Sequence, residues 1–132
     1  MVLAAHGADI SEAELITLCD CTFDGTNALK AVDAARQLGF AHSSKYTLSI
    51  TDLTTLLSQG HFPIAFVEML PIDGINQVHA LVILGISKFS VQVYDPAKGE
   101  RLIPYDVFPF GLEAQTLSGH CYRAMIQAIP LA

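Results

Sequence analysis

The chain has 132 residues and a mass of 14.2 kDa, the size of one domain able to bury its own core. Its formal charge of −6, from 7 basic and 13 acidic residues with no Lys/Arg cluster, sets it against the phosphates of nucleic acid. The longest apolar run, Ala80 to Ile86, falls far short of the roughly 20 residues that cross a bilayer, so no membrane span is expected.

Hydrophobic residues make up 52% of the chain and charged ones only 15%, so much of the surface is apolar or uncharged and a homo-oligomer is expected. The N-terminal MVLAAHGADIS lacks the basic start and long apolar stretch of a secretory signal. Three cysteines, an odd number, suit a reducing compartment better than a disulfide framework. The expected location is the cytoplasm, and the expected organisation a single domain over residues 1–132.

Three helices lead the chain. In SEAELITLCD, Ser11 is placed to cap and Glu14 to complete a capping box, with Leu15 and Leu18 on one face. In DGTNALKAVDAARQLGF, Asp24-Gly25 turns the chain and Thr26 or Asn27 caps. Leu29, Val32, Ala35, Arg36 and Leu38 then fall near helical spacing, and Gly39 stops the helix. SITDLTTLLSQG repeats the scheme, with Thr51 as cap, Leu53, Leu56 and Leu57 inward and Gly60 as stop. Strands are expected at 63–70, 78–86, 89–95 and 121–129, from their length and β-branched or aromatic content, with KYTLSI (45–50) as an edge strand. DPAKGE reads as a turn, and IPYDVFPFG as a proline-broken connector with room for one helical turn. Helices leading into an antiparallel sheet give an α+β class.

Along Val78–Ile86 both alternating faces are apolar, with Val78, Ala80, Val82, Leu84 and Ile86 on one and Leu81, Ile83 and Gly85 on the other, which places this strand centrally. His79 stands at its start, on the face of Leu81 and Ile83, and Asp95 ends the next strand. A two-residue loop at Ser87-Lys88 would set Asp95 opposite Ala80, pointing away from His79. An odd loop or a bulge restores the parity and puts the two on one face. Directly opposed positions hold their Cβ atoms about 5 Å apart, within reach of a carboxylate–imidazole hydrogen bond that fixes the tautomer. On spacing alone two readings stand: such a pair, or a hydrogen-bonded core histidine beside an ordinary Asp-Pro turn.

The helix, DGT helix, strand, short helix, P-I strand, HALVILG strand and VYDPAKG hairpin come in an order that resembles the bacteriocin-processing cysteine peptidases. These are papain-like domains that cut leader peptides after a double glycine and are often fused to export transporters. The resemblance implies a papain-like fold, with N-terminal helices packed on the antiparallel sheet. It makes His79 the general base and Asp95 its orienting acid. It also places the nucleophilic cysteine at the start of a helix, about two turns before the position of Met1, with an oxyanion-hole glutamine further upstream. MVLAA resembles the back half of that helix, so the expected domain lacks the helix's first half.

Cys19 and Cys21 close a later helix and Cys121 opens the last strand, so none of them begins a helix facing His79. A Cys19-x-Cys21 metal pair, joined by His6 or His120, lacks the spacing zinc uses, and neither metal nor cofactor is expected. His6, His42, His61 and His120 read as solvated loop or helix-end residues, and Tyr94 as a packing residue on the face opposite Asp95. The expected function is a bacteriocin-processing-type cysteine-peptidase-like domain, inactive as given and binding peptides. Some related transporters carry cysteine-less versions of the domain as docking modules. The alternatives are an active leader-peptide peptidase whose start lies upstream of Met1, and a structural, oligomerising domain. Expected partners are a substrate or leader peptide and an export transporter.

Overall fold

The two longer N-terminal helices begin where a neighbouring side chain satisfies their free backbone amides. The computed structural model describes residues 2–22, 27–104, 106–108 and 125–129. Contacts divide the chain into two compact units, one of Met1–Lys45 with Ile129–Ala132 and one of Tyr46–Ala128.

In the first unit, α1 is a single turn, Val2–Ala5, and α2 spans Glu12–Leu18. The capping box expected at the start of α2 is formed. Ser11 Oγ accepts the Glu14 amide at 3.1 Å, and the Glu14 carboxylate accepts the Ser11 amide at 2.9 Å. The α3 helix, Ala28–Gln37, is capped by Asn27, whose side chain accepts the Leu29 amide at 2.9 Å. At its end Gly39 takes φ 101°, and the amide of Phe40 reaches back to the carbonyl of Ala35 at 3.0 Å.

The inner stripe of α3 differs from the expected one. Val32, Ala34 and Ala35 are its buried residues, with Ala28, Ala31 and Leu38 half-buried beside them, while Arg36 is exposed and Leu29 is 62% exposed. Small alanines line the covered face, so side-chain size misleads about which face is inside. Asp24-Gly25, Thr26 and residues 121–124 of the last expected strand lie outside the described residues.

The second unit is a sheet with one helix laid on it. Its elements are β1 (Tyr46–Ser49), α4 (Ile50–Ser58), β2 (Ile64–Glu68), α5 (Leu70–Asp73), β3 (Val78–Ile86), β4 (Ser90–Asp95), β5 (Gly99–Pro104) and β6 (Met125–Ile129). The described strands run in the order β1-β6-β2-β3-β4-β5, with β1 at one edge as expected and β3 well inside. Neighbours along β2-β3-β4-β5 are antiparallel. One face of these strands carries Ala65, Val67, Leu81, Ile83, Val91, Val93 and Ile103, all buried. Leu53 of α4, fully buried, joins this cluster, with Ile50, Leu57 and Phe108 beside it. Removing that apolar surface from water is what holds helix to sheet.

Three local expectations are corrected. The α4 helix starts at Ile50, straight from β1, so Thr51 lies inside it and not at its cap. DPAKGE turns the chain as expected, but its Gly99-Glu100 already belong to a strand, β5, which runs on through Ile103-Pro104 of the expected connector. The connector's turn follows, with the Phe108 amide on the Pro104 carbonyl at 3.1 Å. Ile86 sits on the core face with Leu81, because β3 carries a bulge: Ile83 pairs with Val93, yet Gly85 pairs with Gln92.

Candidate active site

The bulge decides which side chains meet. At the hairpin end, Ile86 pairs with Val91, and the Ser87 amide bonds the Ser90 carbonyl at 2.9 Å. That register, continued without interruption, would bring Asp95 opposite Val82, on the far face from His79. The extra residue, Leu84, shifts the pairing so that Val82 meets Tyr94. Asp95 then falls opposite Leu81, diagonal to His79 on the same face. The two expected site residues are brought together: His79 Nε2 lies 2.9 Å from Asp95 Oδ1.

The pair sits at the rim of the buried cluster. Val67, 1% exposed, pairs with His79 across the β2–β3 ladder. The Asp95 side chain is only 2% exposed, whereas that of His79 is 30% exposed, so the carboxylate is sealed and the ring looks outward. Asp95 also begins the turn. Its Oδ1 accepts the Ala97 amide at 2.8 Å, and its carbonyl accepts the Lys98 amide at 3.1 Å. The turn role and the histidine-partner role, alternatives in the sequence, are filled by one residue.

Burial pushes the Asp95 carboxyl up, but hydrogen bonds from His79, the Ala97 amide and Arg101 outweigh it and hold the group below its ordinary range. An ionised carboxylate only accepts, so His79 Nε2 carries a proton, and in the neutral ring Nδ1 presents its lone pair. Among the described residues Nδ1 has no hydrogen-bond partner. The arrangement can hold an imidazole in one tautomer, take a proton at Nδ1, and balance the charge that results.

Two residues at the site were missed in the sequence. Arg101 on β5 donates through Nη1 to Asp95 Oδ2 at 3.1 Å, and through Nη2 to Asp73 Oδ1 at 2.6 Å. Asp73 ends α5, where hydrogen bonds from Arg101 and Lys98 hold its carboxyl down to about 2 against the pull of burial. Arg101 faces inward while Leu102 is 70% exposed, the reverse of the alternation that marks a half-buried strand. That inversion hid both the strand and the residue.

Of the other candidates, Cys19, Cys21, His6 and His42 belong to the first unit. Cys19 is the C-cap of α2, and Cys21 comes two residues later. Burial, with the neighbouring Cys21, pushes the Cys19 thiol up, and a helix C-terminus disfavours a thiolate besides. His6 is exposed and stacks edge-on against Phe40, His42 is exposed, and His61 is half-buried and not solvated as expected. Tyr94 stands on the face opposite Asp95, as expected. Cys121 and His120 lie outside the described residues. Among the described residues no group of three His, Cys, Asp or Glu side chains could hold a metal, and no helix is long and apolar enough to cross a membrane.

A family model described as the peptidase C39 family matches residues 1–109. No curated protein matches the chain.

Proposed function

The chain belongs to the peptidase C39 family, and we propose that its 132 residues form one peptide-recognising domain carrying the base half of a cysteine-peptidase site. The fold is the α+β, papain-like fold of that family. Within it His79 is the general base and Asp95 the residue that orients it. The observation that carries this reading is the 2.9 Å bond between a sealed carboxylate and an outward-facing imidazole. A histidine serving only the core would be enclosed with both nitrogens satisfied. Here one nitrogen is fixed and the other is left for a reactant.

Peptide hydrolysis by such a site runs through a thiolate. His79 Nδ1 would take the thiol proton, Asp95 would stabilise the imidazolium, and the same proton would pass to the leaving amine. Cys19, with its raised proton affinity at a helix end, is unsuited to the nucleophile's part. On this reading a polypeptide of these residues binds peptides and leaves them intact. The peptide class comes from the resemblance: leader peptides that end in a double glycine, presented by an export system in the cytoplasm.

Calorimetric titration of a Gly-Gly leader peptide, with mass spectrometry of the recovered peptide, tests this. Saturable binding with uncut peptide is expected. No saturation at millimolar peptide would remove the docking function.

The intact base–orienter pair favours a second reading, an active peptidase whose thiolate comes from sequence outside these residues. In-frame Cys and Gln codons upstream of the first codon, and alkylation of the longer product by a thiol-directed epoxide, would establish it. Their absence would leave docking alone.

A further inference from the structure

Arg101 has no part in the chemistry above, yet it occupies half of the Asp95 carboxylate. Oδ1 of Asp95 is committed to His79 and to the Ala97 amide, at 2.9 and 2.8 Å. Oδ2 accepts from Arg101 Nη1 at 3.1 Å. The same guanidinium forks onto Asp73, with Nη2 donating to Oδ1 at 2.6 Å and Nη1 to Oδ2 at 3.0 Å. Asp73 is steadied in turn by Lys98 Nζ at 3.2 Å and by Ile72, the preceding residue, which packs on the core.

We propose that Arg101, braced by Asp73, is a positioning residue that locks the Asp95 carboxylate with Oδ1 turned to His79. The inference rests on reading His79 and Asp95 as base and orienter. Its physical ground is twofold. A carboxylate held at one oxygen can turn about its Cβ–Cγ bond, and a guanidinium on the second oxygen stops that rotation. A sealed carboxylate beside a neutral imidazole is also an uncompensated buried charge, which is costly. With His79 neutral, Asp95 and Asp73 balance Arg101 and Lys98, so the cluster carries no net charge while the base waits for its proton. Among the described residues the Arg101 guanidinium bonds to Asp73 and Asp95 and not to His79, so it acts through Asp95.

The test reads the tautomer of neutral His79 from its imidazole ¹⁵N shifts, without peptide, in wild type, Arg101→Met, Arg101→Lys and Asp73→Asn. Loss of one charge-assisted bond should lower the ratio of Nε2–H to Nδ1–H tautomer about fivefold in Arg101→Met. Asp73→Asn, which leaves Asp95 untouched, should lower it by a smaller factor. Arg101→Lys returns the charge without the fork and should recover less than half of the loss. An unchanged ratio in a folded Arg101→Met, or full recovery in Arg101→Lys, would overturn the positioning role. Should Arg101→Met fail to fold, the Asp73→Asn ratio decides, and no change there overturns it equally. Because no peptide is present, absent peptide binding would sink the docking function and leave this result standing, and the converse also holds.

Discussion

Asp95 does three jobs with one carboxylate: it starts a turn, receives an imidazole and receives a guanidinium. Asparagine at this position keeps the size and loses the charge. Its amide must then point a donor either at Arg101, which is a donor already, or at His79 Nε2, which accepts only if the ring gives up its Nε2–H tautomer. Asp95→Asn should therefore lower unfolding stability by about 2 kcal/mol, measured by urea titration, because a buried partner is left unmet. A loss near zero would mean the carboxylate is not relied on in the fold. The pair itself is legible in the sequence only as a question of parity. Residue types and strand order can be read, but the bulge at Leu84 is marked only by Gly85, an isolated glycine in an otherwise unbroken apolar strand. Arg101 and Asp73 are illegible for a different reason. Their meeting depends on a strand with its charge inside and on a one-turn helix far away in sequence.

At the scale of elements, capping chemistry is the most readable signal. The Ser11–Glu14 box is local, so sequence spacing settles it without any knowledge of the tertiary structure. Spacing narrows the α3 cap only to Thr26 or Asn27, and it places the α4 cap wrongly at Thr51. Inner faces are less readable where alanine lines them, as in α3. The α4 helix shows the opposite case. Leu53 reads as inward from its spacing, and it is the fully buried contact of this helix in the sheet cluster. Leu53→Ala should cost about 3 kcal/mol in chemical denaturation, from lost transfer energy and the cavity left behind. A cost below about 1 kcal/mol would mean the helix can settle into the space, and that its seat on the sheet is loose.

For the whole molecule, the acid side of the stability curve should carry the signature of the carboxylates tied to Arg101. Asp73 ionises in the fold at about 2 against an ordinary 3.8, so its contribution is complete above the ordinary value and is lost as pH falls toward the folded one. Asp95, also lowered, acts in the same direction. Unfolding free energy measured in urea from about pH 4.5 down to about pH 2.5 should fall less steeply in Asp73→Asn than in wild type, with the remaining slope owed in part to Asp95. Identical slopes would place Asp73 outside the charge network. On the proposed reading, peptide recognition at this site turns on His79 offering Nδ1 while Nε2 stays on Asp95. The most direct measurement tracks both imidazole nitrogens by ¹⁵N spectroscopy as a Gly-Gly leader peptide is added. A saturable change at Nδ1 with Nε2 remaining protonated is the predicted result, and a ring whose two nitrogens ignore saturating peptide would contradict it.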